Sequence, residues 1–176
     1  MGRARAGARL RAEPAPPLFR LHDTSDMKTF EHLSDLQPLV GQEIAVSDWL
    51  TVDQARIDKF ADATGDHQWI HVDPERAAKG PFGTTVAHGF LTLSLLPELS
   101  QSAFGVADTR MGVNYGLNRV RFPAPVPAGS RIRGRFKLLA YEPIDGGAQV
   151  TVEVTMEREG QAKPVCVAES VGRRYV

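Results

Sequence analysis

The sequence has little cysteine, no net charge and no long apolar run, and each of these absences excludes a class of protein. Cys166 is the single cysteine among 176 residues, so a disulfide within the chain is impossible and a buried thiol in a reducing compartment is the simpler interpretation. The 21 basic and 21 acidic side chains cancel, which argues against a nucleic-acid partner. No stretch reaches the roughly 18 consecutive apolar residues of a membrane span. We therefore expect a cytoplasmic protein with no nucleic-acid or membrane partner.

The first 26 residues differ in composition from the rest. They contain five arginines among many alanines and prolines, without the apolar core of about 7 to 15 residues that a secretory signal needs. We predict that residues 1–26 form a disordered extension, that Met27 is the natural start, and that residues 27–176 form a single domain. An arginine-rich organelle transit peptide is the alternative interpretation of this segment.

Motifs of several common enzyme classes are also absent. The sequence contains no glycine-rich phosphate loop, nucleophile elbow or cysteine cluster, so a kinase, a serine hydrolase or a zinc protein has no support. His67 and His71 have the i, i+4 spacing of a metal pair on a helix, but Gly65 before them and Pro74 after them place both outside a regular helix. No third ligand follows with motif spacing. We expect no metal and no cofactor.

The globular region contains an early helix whose two ends are marked in the sequence. Thr51 and Gln54 have the spacing of a capping box, in which a hydroxyl and an amide satisfy free backbone N–H groups. The apolar residues that follow share one helical face, so a helix over residues 52–64 is predicted. Gly65 stands where a left-handed C-terminal cap is expected. Asp66 therefore leaves the helix end directly, in a loop whose path is fixed by that cap.

Two further helices are predicted after this loop. Asp73 followed by Pro74 is an N-cap with a first-turn proline, and this pair starts a short helix that stops near Gly80. A more apolar helix begins near Gly89. Because it is apolar on all sides, we predict that it is buried, and we expect Pro97 to kink or shorten it.

The second half of the chain changes from helical to strand periodicity. Apolar and charged residues alternate over residues 131–138, apolar and polar residues alternate over residues 150–156, and Asp145-Gly146-Gly147 forms the turn between them. Three more strands are predicted, over residues 165–171, 113–122 and 43–50. The pattern indicates an α+β fold, a curved antiparallel sheet wrapped around a central long helix.

One segment carries the residue types of a proton-transfer site. Asp66 and His71 lie five residues apart, and Gly89 follows His88 at the start of the apolar helix. A carboxylate and an imidazole can exchange protons with a substrate, and the N–H of a glycine at a helix N-terminus is suited to an oxyanion. Asp66 alone could be only a turn residue, and His71 only a core histidine bonded to backbone. The convergence of three roles favours a catalytic site, with His88 holding the turn before the glycine and His67 solvated.

Three ordered blocks of sequence between residues 27 and 176 carry a specific resemblance. The first runs from Phe60 to Pro74 and contains Asp66 and His71, the second is Ala87-His88-Gly89, and the third spans residues 119–129. Together they resemble the MaoC-like, (R)-specific enoyl-CoA hydratase family, in its branch similar to nodulation protein N. The resemblance implies a hotdog fold, a homodimer with acyl-thioester tunnels at its interface, and reversible addition of water to trans-2-enoyl-CoA in fatty acid metabolism.

The resemblance also implies roles for individual residues. Asp66 and His71 correspond to the dyad that holds the water and transfers its proton, and Gly89 to the glycine whose N–H holds the thioester oxygen. Three more residues are expected to contact the acyl-CoA substrate: Gln68, Trp69 and Ser94. Gln68 and Trp69 stand where the family usually has Asn and Pro, so the pocket shape and the preferred acyl group are open.

Two alternative functions remain open at the level of sequence. A hotdog acyl-CoA thioesterase would use the carboxylate to activate water against the thioester carbonyl, and it would release free thiol. A non-catalytic acyl-thioester-binding subunit would bind without turnover, unaffected by Asp66→Asn. Which of Asp66 and His71 is the base, the acyl chain length, and the choice between coenzyme A and acyl carrier protein are also open.

Overall fold

The computed structural model describes residues 27–176, and the extension predicted over residues 1–26 lies outside them. The strands of this part of the chain are β1 (Lys28–Phe30), β2 (Glu43–Val46), β3 (Leu50–Val52), β4 (Phe104–Val106), β5 (Met111–Arg121), β6 (Ser130–Ile144), β7 (Gly147–Arg158) and β8 (Cys166–Tyr175). The α-helices are α1 (Gln54–Thr64), α2 (Trp69–Val72), α3 (Pro74–Ala77), α4 (Gly89–Ser94) and α5 (Leu96–Ala103), and a 3-10 helix spans Leu33–Leu39.

One antiparallel sheet forms the scaffold of the molecule. Its strand order is β2-β6-β7-β8-β5, β3 also pairs with β6, and β1 and β4 form a separate parallel pair. The predicted turn between the two longest strands is confirmed, since Gly146 has φ 71° and Ile144 pairs with Gly147. The single strand predicted over residues 43–50 was wrong. Two short strands form instead, because Ser47 Oγ accepts the backbone N–H of Gly134 at 2.8 Å, and a side chain thus interrupts the backbone ladder.

Alternation along the strands decides which residues enter the core. The apolar set of β6, β7 and β8 is buried, and its largest members are Ile132, Phe136, Leu138, Val154, Met156 and Cys166. The charged residues between them face outward and pair across strands, with Arg133 Nε 2.8 Å from Glu157 and Arg135 2.8 Å from Glu43. The buried thiol predicted for Cys166 is confirmed, and burial raises the pKa of that thiol to about 11.

Helix α1 begins at a different cap from the predicted one. Asp53 is the N-cap, and its Oδ1 accepts the backbone N–H of Arg56 at 2.9 Å. The capping box from Thr51 was therefore wrong, because Thr51 still belongs to strand β3. The other end is as predicted: Gly65 has φ 77° and its N–H donates to Ala61 O.

The apolar helix predicted from Gly89 forms as two pieces, α4 and α5, joined at Leu95. Pro97 lies in the first turn of α5, so the predicted effect of this proline on the helix is confirmed. Leu91, Leu95 and Leu99 are buried in the core. Phe90 is 72% exposed, so burial on all sides was wrong for this segment, because the sheet covers only one side of it. Among residues 27–176, no helix is long and apolar enough to cross a membrane.

Candidate functional site

Asp66 is held at the surface by the end of helix α1. The left-handed Gly65 turns the chain out of the helix, so the aspartate begins the loop that follows. Its Oδ1 accepts the backbone N–H of Gln68 at 3.3 Å, which fixes the direction of the carboxylate. The side chain is 56% exposed, so the carboxylate is open to solvent and substrate.

His71 lies in the single turn α2, and not outside helical structure as the sequence suggested, because the chain closes one turn between Trp69 and Val72. The imidazole is buried, and its Nδ1 lies 2.6 Å from the carbonyl oxygen of Val86. A carbonyl only accepts hydrogen bonds, so Nδ1 carries the hydrogen and Nε2 keeps a lone pair in the neutral ring. His71 is therefore oriented as a base.

Burial lowers the pKa of His71 below its ordinary value. The Val86 carbonyl and the Asp66 carboxylate act in the opposite direction and raise this pKa, while charge on His88 lowers it further. Desolvation is the largest of these effects. The imidazole thus stays neutral, with its lone pair available, to a lower pH than a histidine in solution.

His88 connects the dyad to the start of helix α4. Its ring stacks on that of His71, with centroids 3.7 Å apart and planes 25° from parallel. Its Nε2 donates to the backbone carbonyl of Asp66 at 2.9 Å, and Phe60 packs against the same ring at 5.0 Å between centroids. The side chain is only 3% exposed, and within residues 27–176 its Nδ1 has no hydrogen-bond partner. His88 thus contacts both members of the dyad and fixes their relative position.

Gln54 belongs to the site, although the sequence predicted it to be part of a helix capping box. Its side-chain amide donates to the backbone carbonyl of His71 at 2.7 Å and also to Asp58. Its Oε1 accepts from the hydroxyl of Thr85. One side chain of α1 therefore ties the His71 turn to the segment before His88. The sequence did not predict this role, because the capping-box spacing indicated that the side chain of Gln54 bonds to a nearby backbone N–H.

Gly89 is the first residue of α4, where a backbone N–H has no partner inside the helix. None of the loop or side-chain hydrogen bonds of residues 27–176 uses this N–H, so it is free to bind an oxyanion. A Cβ at this position would lie 3.0 Å from Cδ2 of Phe122. Glycine thus avoids a close contact with an aromatic ring and also suits a ligand at this N–H.

A cavity of about 670 Å³ runs beside helices α4 and α5 and over the inner face of the sheet. Phe60 and Phe90 line it near the dyad, since Phe60 contacts His88 and Phe90 follows Gly89. Ser94 lines the cavity too, and its hydroxyl donates to Phe90 O at 2.6 Å, which leaves its oxygen available as an acceptor.

Gln68 and Trp69 lie beside the dyad but outside the lining of this cavity. Trp69 packs against Gly80, where a Cβ would come within 2.9 Å of the indole, and the guanidinium of Arg76 stacks 4.6 Å from its ring centroid. Gln68 is exposed. The structure thus brings Asp66 and His71 together with His88, and it places Ser94 in the cavity lining. Trp69 packs instead against Gly80 and Arg76.

Asp66, His71 and His88 each place an oxygen or nitrogen within 4.8 Å of the others. Ligand atoms at this spacing can reach a common metal ion. The two imidazoles are stacked, however, and a nitrogen ligand points its lone pair in the plane of its ring. With ring centroids 3.7 Å apart and planes only 25° from parallel, no point lies about 2 Å from a nitrogen of each ring and in both planes. The geometry suits proton transfer better than zinc binding.

Comparison with known proteins agrees with this geometry. The profile of the MaoC-like domain matches residues 35–160. Over 148 residues the chain is 57% identical to 3-hydroxyacyl-thioester dehydratase Z of Mycobacterium tuberculosis, which covers 84% of this chain and 98% of that protein. It is 52% identical over 139 residues to nodulation protein N of Rhizobium leguminosarum bv. viciae, covering 77% and 86% of the two chains.

Solved structures share the fold. The MaoC-like dehydratase from Rhodospirillum rubrum superposes with a TM-score of 0.68 at 24% identity, covering 82% of this chain and 96% of that one. The (R)-hydratase from A. caviae superposes with a TM-score of 0.61 at 23% identity, covering 76% and 94%. The hotdog fold expected from the resemblance is confirmed. From the matching profile, the relatives and the shared architecture, we conclude that the chain belongs to the MaoC-like domain family, in the branch that contains nodulation protein N.

Proposed function

We propose that this protein is an (R)-specific enoyl-CoA hydratase, which in the reverse direction is a 3-hydroxyacyl-thioester dehydratase. The observation that carries the proposal is the buried His71, whose Nδ1 is committed to Val86 O and whose Nε2 lone pair is left for a proton. Asp66 lies beside it, and the free N–H of Gly89 follows the stacked His88. The name of the relative in M. tuberculosis supports the same reaction class. We place the enzyme in the cytoplasm, where its single thiol stays reduced.

The spacing of the dyad suits one water molecule. Two hydrogen bonds of about 2.8 Å that meet at a tetrahedral oxygen join groups about 4.5 Å apart. The polar atoms of Asp66 and His71 lie within 4.8 Å of each other. A water can therefore donate one hydrogen to each group and present its oxygen lone pair to a substrate.

In the proposed reaction, His71 Nε2 takes one proton of this water as the oxygen attacks the β-carbon of the enoyl thioester. Asp66 holds the second hydrogen and orients the attacking lone pair. Negative charge moves to the thioester oxygen, where the N–H of Gly89 stabilises it at the helix N-terminus. The proton then returns from the dyad to the α-carbon on the same face. The atoms of one water are thus added across the double bond, and the dehydration is the same path reversed.

The test is hydration of a chain-length series of trans-2-enoyl-CoA. The loss of enoyl absorbance measures the reaction, and chiral analysis identifies the product. The proposal requires an (R)-3-hydroxyacyl product. Release of free thiol without loss of the double bond would instead establish a thioesterase. Binding without turnover, unchanged by Asp66→Asn, would establish a non-catalytic acyl-thioester-binding subunit.

The pH dependence of kcat/KM gives a second expectation. The base must be neutral, and burial lowers the pKa of His71, so activity is present above this pKa and is lost as the pH falls through it. We expect the acid limb of the profile for the free enzyme to fall below about pH 6.5, the ordinary value for histidine. A kcat/KM profile measured with crotonyl-CoA checks this. An acid limb above that value would contradict the assignment of His71 as the base.

We further propose that the enzyme is a homodimer joined along strand β5. This strand pairs only with β8 among residues 27–176, so its second edge has unpaired backbone groups. A set of exposed apolar residues, here called the β5 patch, surrounds that edge: Phe90, Met111, Val113, Tyr115, Leu117 and Phe122. Such a patch is expected to be covered by a partner. A second copy also suits the site, because Phe90 and Phe122 adjoin Gly89 and would be covered with it.

Tyr115→Glu is expected to convert the dimer to a monomer. Tyr115 is 57% exposed in the single chain, so the change should leave the fold intact, whereas a charge buried in an interface costs several kcal/mol. Light scattering with size-exclusion chromatography should give twice the chain mass of 19.2 kDa for the wild type and one chain mass for the variant. Val40→Glu, at an exposed apolar residue outside the β5 patch, is the matched control and should remain dimeric. A monomeric wild type, or a dimeric Tyr115→Glu, would refute this interface.

A further inference from the structure

Arg174 lies at the end of the cavity farthest from the dyad. Helices α4 and α5 run along the cavity from Phe90 to Ser100, a length of about 15 Å at about 1.5 Å per residue. Phe104 lines the cavity just beyond α5, and the guanidinium of Arg174 lies 5.6 Å from the centroid of its ring. Strand β8 places Arg174 on the same face as Gly172, which also lines the cavity. A positive charge therefore stands at the distal end of a largely apolar cavity.

Arg174 has no acidic partner among residues 27–176. The three arginines of β6 each form an ion pair with a glutamate: Arg131 with Glu159, Arg133 with Glu157 and Arg135 with Glu43. Arg174 forms neither an ion pair nor a side-chain hydrogen bond with these described residues, and burial lowers the pKa of its guanidinium. A partly desolvated charge without a counterion costs folding free energy, and a bound anion would offset that cost.

We propose that Arg174 makes the enzyme selective for acyl thioesters whose acyl chain ends in a carboxylate. This inference rests on the proposed function, because it takes the thioester to lie at Gly89 with the acyl chain along α4 and α5. Leu93, Leu96 and Val152 give the cavity apolar walls that suit methylene groups. A planar guanidinium binds a carboxylate through two parallel hydrogen bonds, which gives direction as well as affinity.

Two sources of anion are distinguished by their place in the ligand. The phosphates of coenzyme A lie on the opposite side of the thioester from the acyl chain, and they are present in every coenzyme A ligand. A carboxylate at the end of the acyl chain is present only in some. Arg174 bound to phosphate would therefore affect all such ligands equally, whereas Arg174 bound to the acyl terminus discriminates between them.

The experiment measures binding of saturated acyl-CoA thioesters to the full chain by titration calorimetry. Ligands are used in pairs of equal chain length, one ending in a methyl group and one in a carboxylate, across a series of lengths. At the length that reaches Arg174, the carboxylate ligand should bind at least about tenfold tighter, as expected for a hydrogen bond to a charged group. Arg174→Met should abolish this difference. Arg131→Met, which removes an exposed arginine of β6, should preserve it.

Each other outcome overturns the inference. Equal affinity of the wild type for both ligands at every length would show that Arg174 does not select a terminal carboxylate. Equal weakening of both ligands by Arg174→Met would assign Arg174 to the phosphates of coenzyme A. If Arg174→Met lowers the melting temperature, Arg174→Gln repeats the comparison with a shorter polar side chain. Saturated thioesters cannot be hydrated, so this result is independent of turnover, and failure to hydrate the matching trans-2-enoyl-CoA would refute the proposed function alone.

Discussion

Replacing His71 by glutamine is expected to lower kcat for the hydration of crotonyl-CoA by about 100- to 10,000-fold, the range for loss of a positioned proton-transfer group. Glutamine can still donate a hydrogen bond to Val86 O, but its amide has no basic nitrogen to take the proton of water. Asp66→Asn should cause a loss in the same range, because the amide cannot orient water as a carboxylate does. The rate at which enoyl absorbance is lost measures the activity of both variants.

The same substitution at a neighbouring histidine separates chemistry from folding. His67 is exposed in the loop between Asp66 and α2, and His67→Gln should retain activity within about twofold, as expected of a surface change. Melting temperatures of the three variants show whether the fold is kept. Activity near that of the wild type in both His71→Gln and Asp66→Asn, with the fold intact, would refute the dyad.

Gly89→Pro is expected to reduce kcat by about 100- to 1,000-fold, the effect of removing one oxyanion donor. Proline deletes the N–H of the first residue of α4, a position that favours proline in helices. The preceding His88 has φ −58° and ψ 141°, the extended conformation that a following proline requires. The backbone can therefore keep its path while the donor is lost.

Gly89→Ala is the matched control for this variant. Alanine brings the same Cβ toward the ring of Phe122, at 3.0 Å from Cδ2, but it keeps the N–H. Phe122 is 40% exposed, so its ring has room to move, and we expect the alanine variant to lose much less activity than the proline variant. The ratio of the two kcat values isolates the N–H. Equal losses would show that the steric contact, and not the oxyanion donor, is what requires glycine.

Local signals in the sequence were reliable where the chain itself supplies the partner. Gly65 ends α1 in the left-handed conformation, and Asp73 caps α3 with Pro74 in its first turn, because these contacts involve residues only a few positions apart. The period of two in the second half likewise predicted β6 and β7 and the turn at Gly146. The position of Asp66 at the start of a constrained loop follows from the same local rules.

Predictions from local sequence failed where a side chain bonds to a residue far away in the chain and not to a nearby one. The side chain of Gln54 was assigned to a cap, but it bonds to the carbonyl of His71, 17 residues away. Ser47 was placed inside a strand, but its hydroxyl accepts from Gly134 across the sheet and divides that strand. Phe90 was predicted to be buried, because periodicity states which residues are apolar and not how much cover the sheet provides.

The sequence by itself determined the long strands of the second half, the hotdog family and the residue types of the site, because turns and periodicity are local and the three blocks are specific. Only the tertiary structure decided how the site acts as a base. The hydrogen bond from His71 to Val86 O, the stacking of His88 and the burial that keeps the imidazole neutral join segments far apart in the chain. The unpaired charge of Arg174 at the far end of the cavity has the same origin, since the partners of a side chain are set by packing between elements.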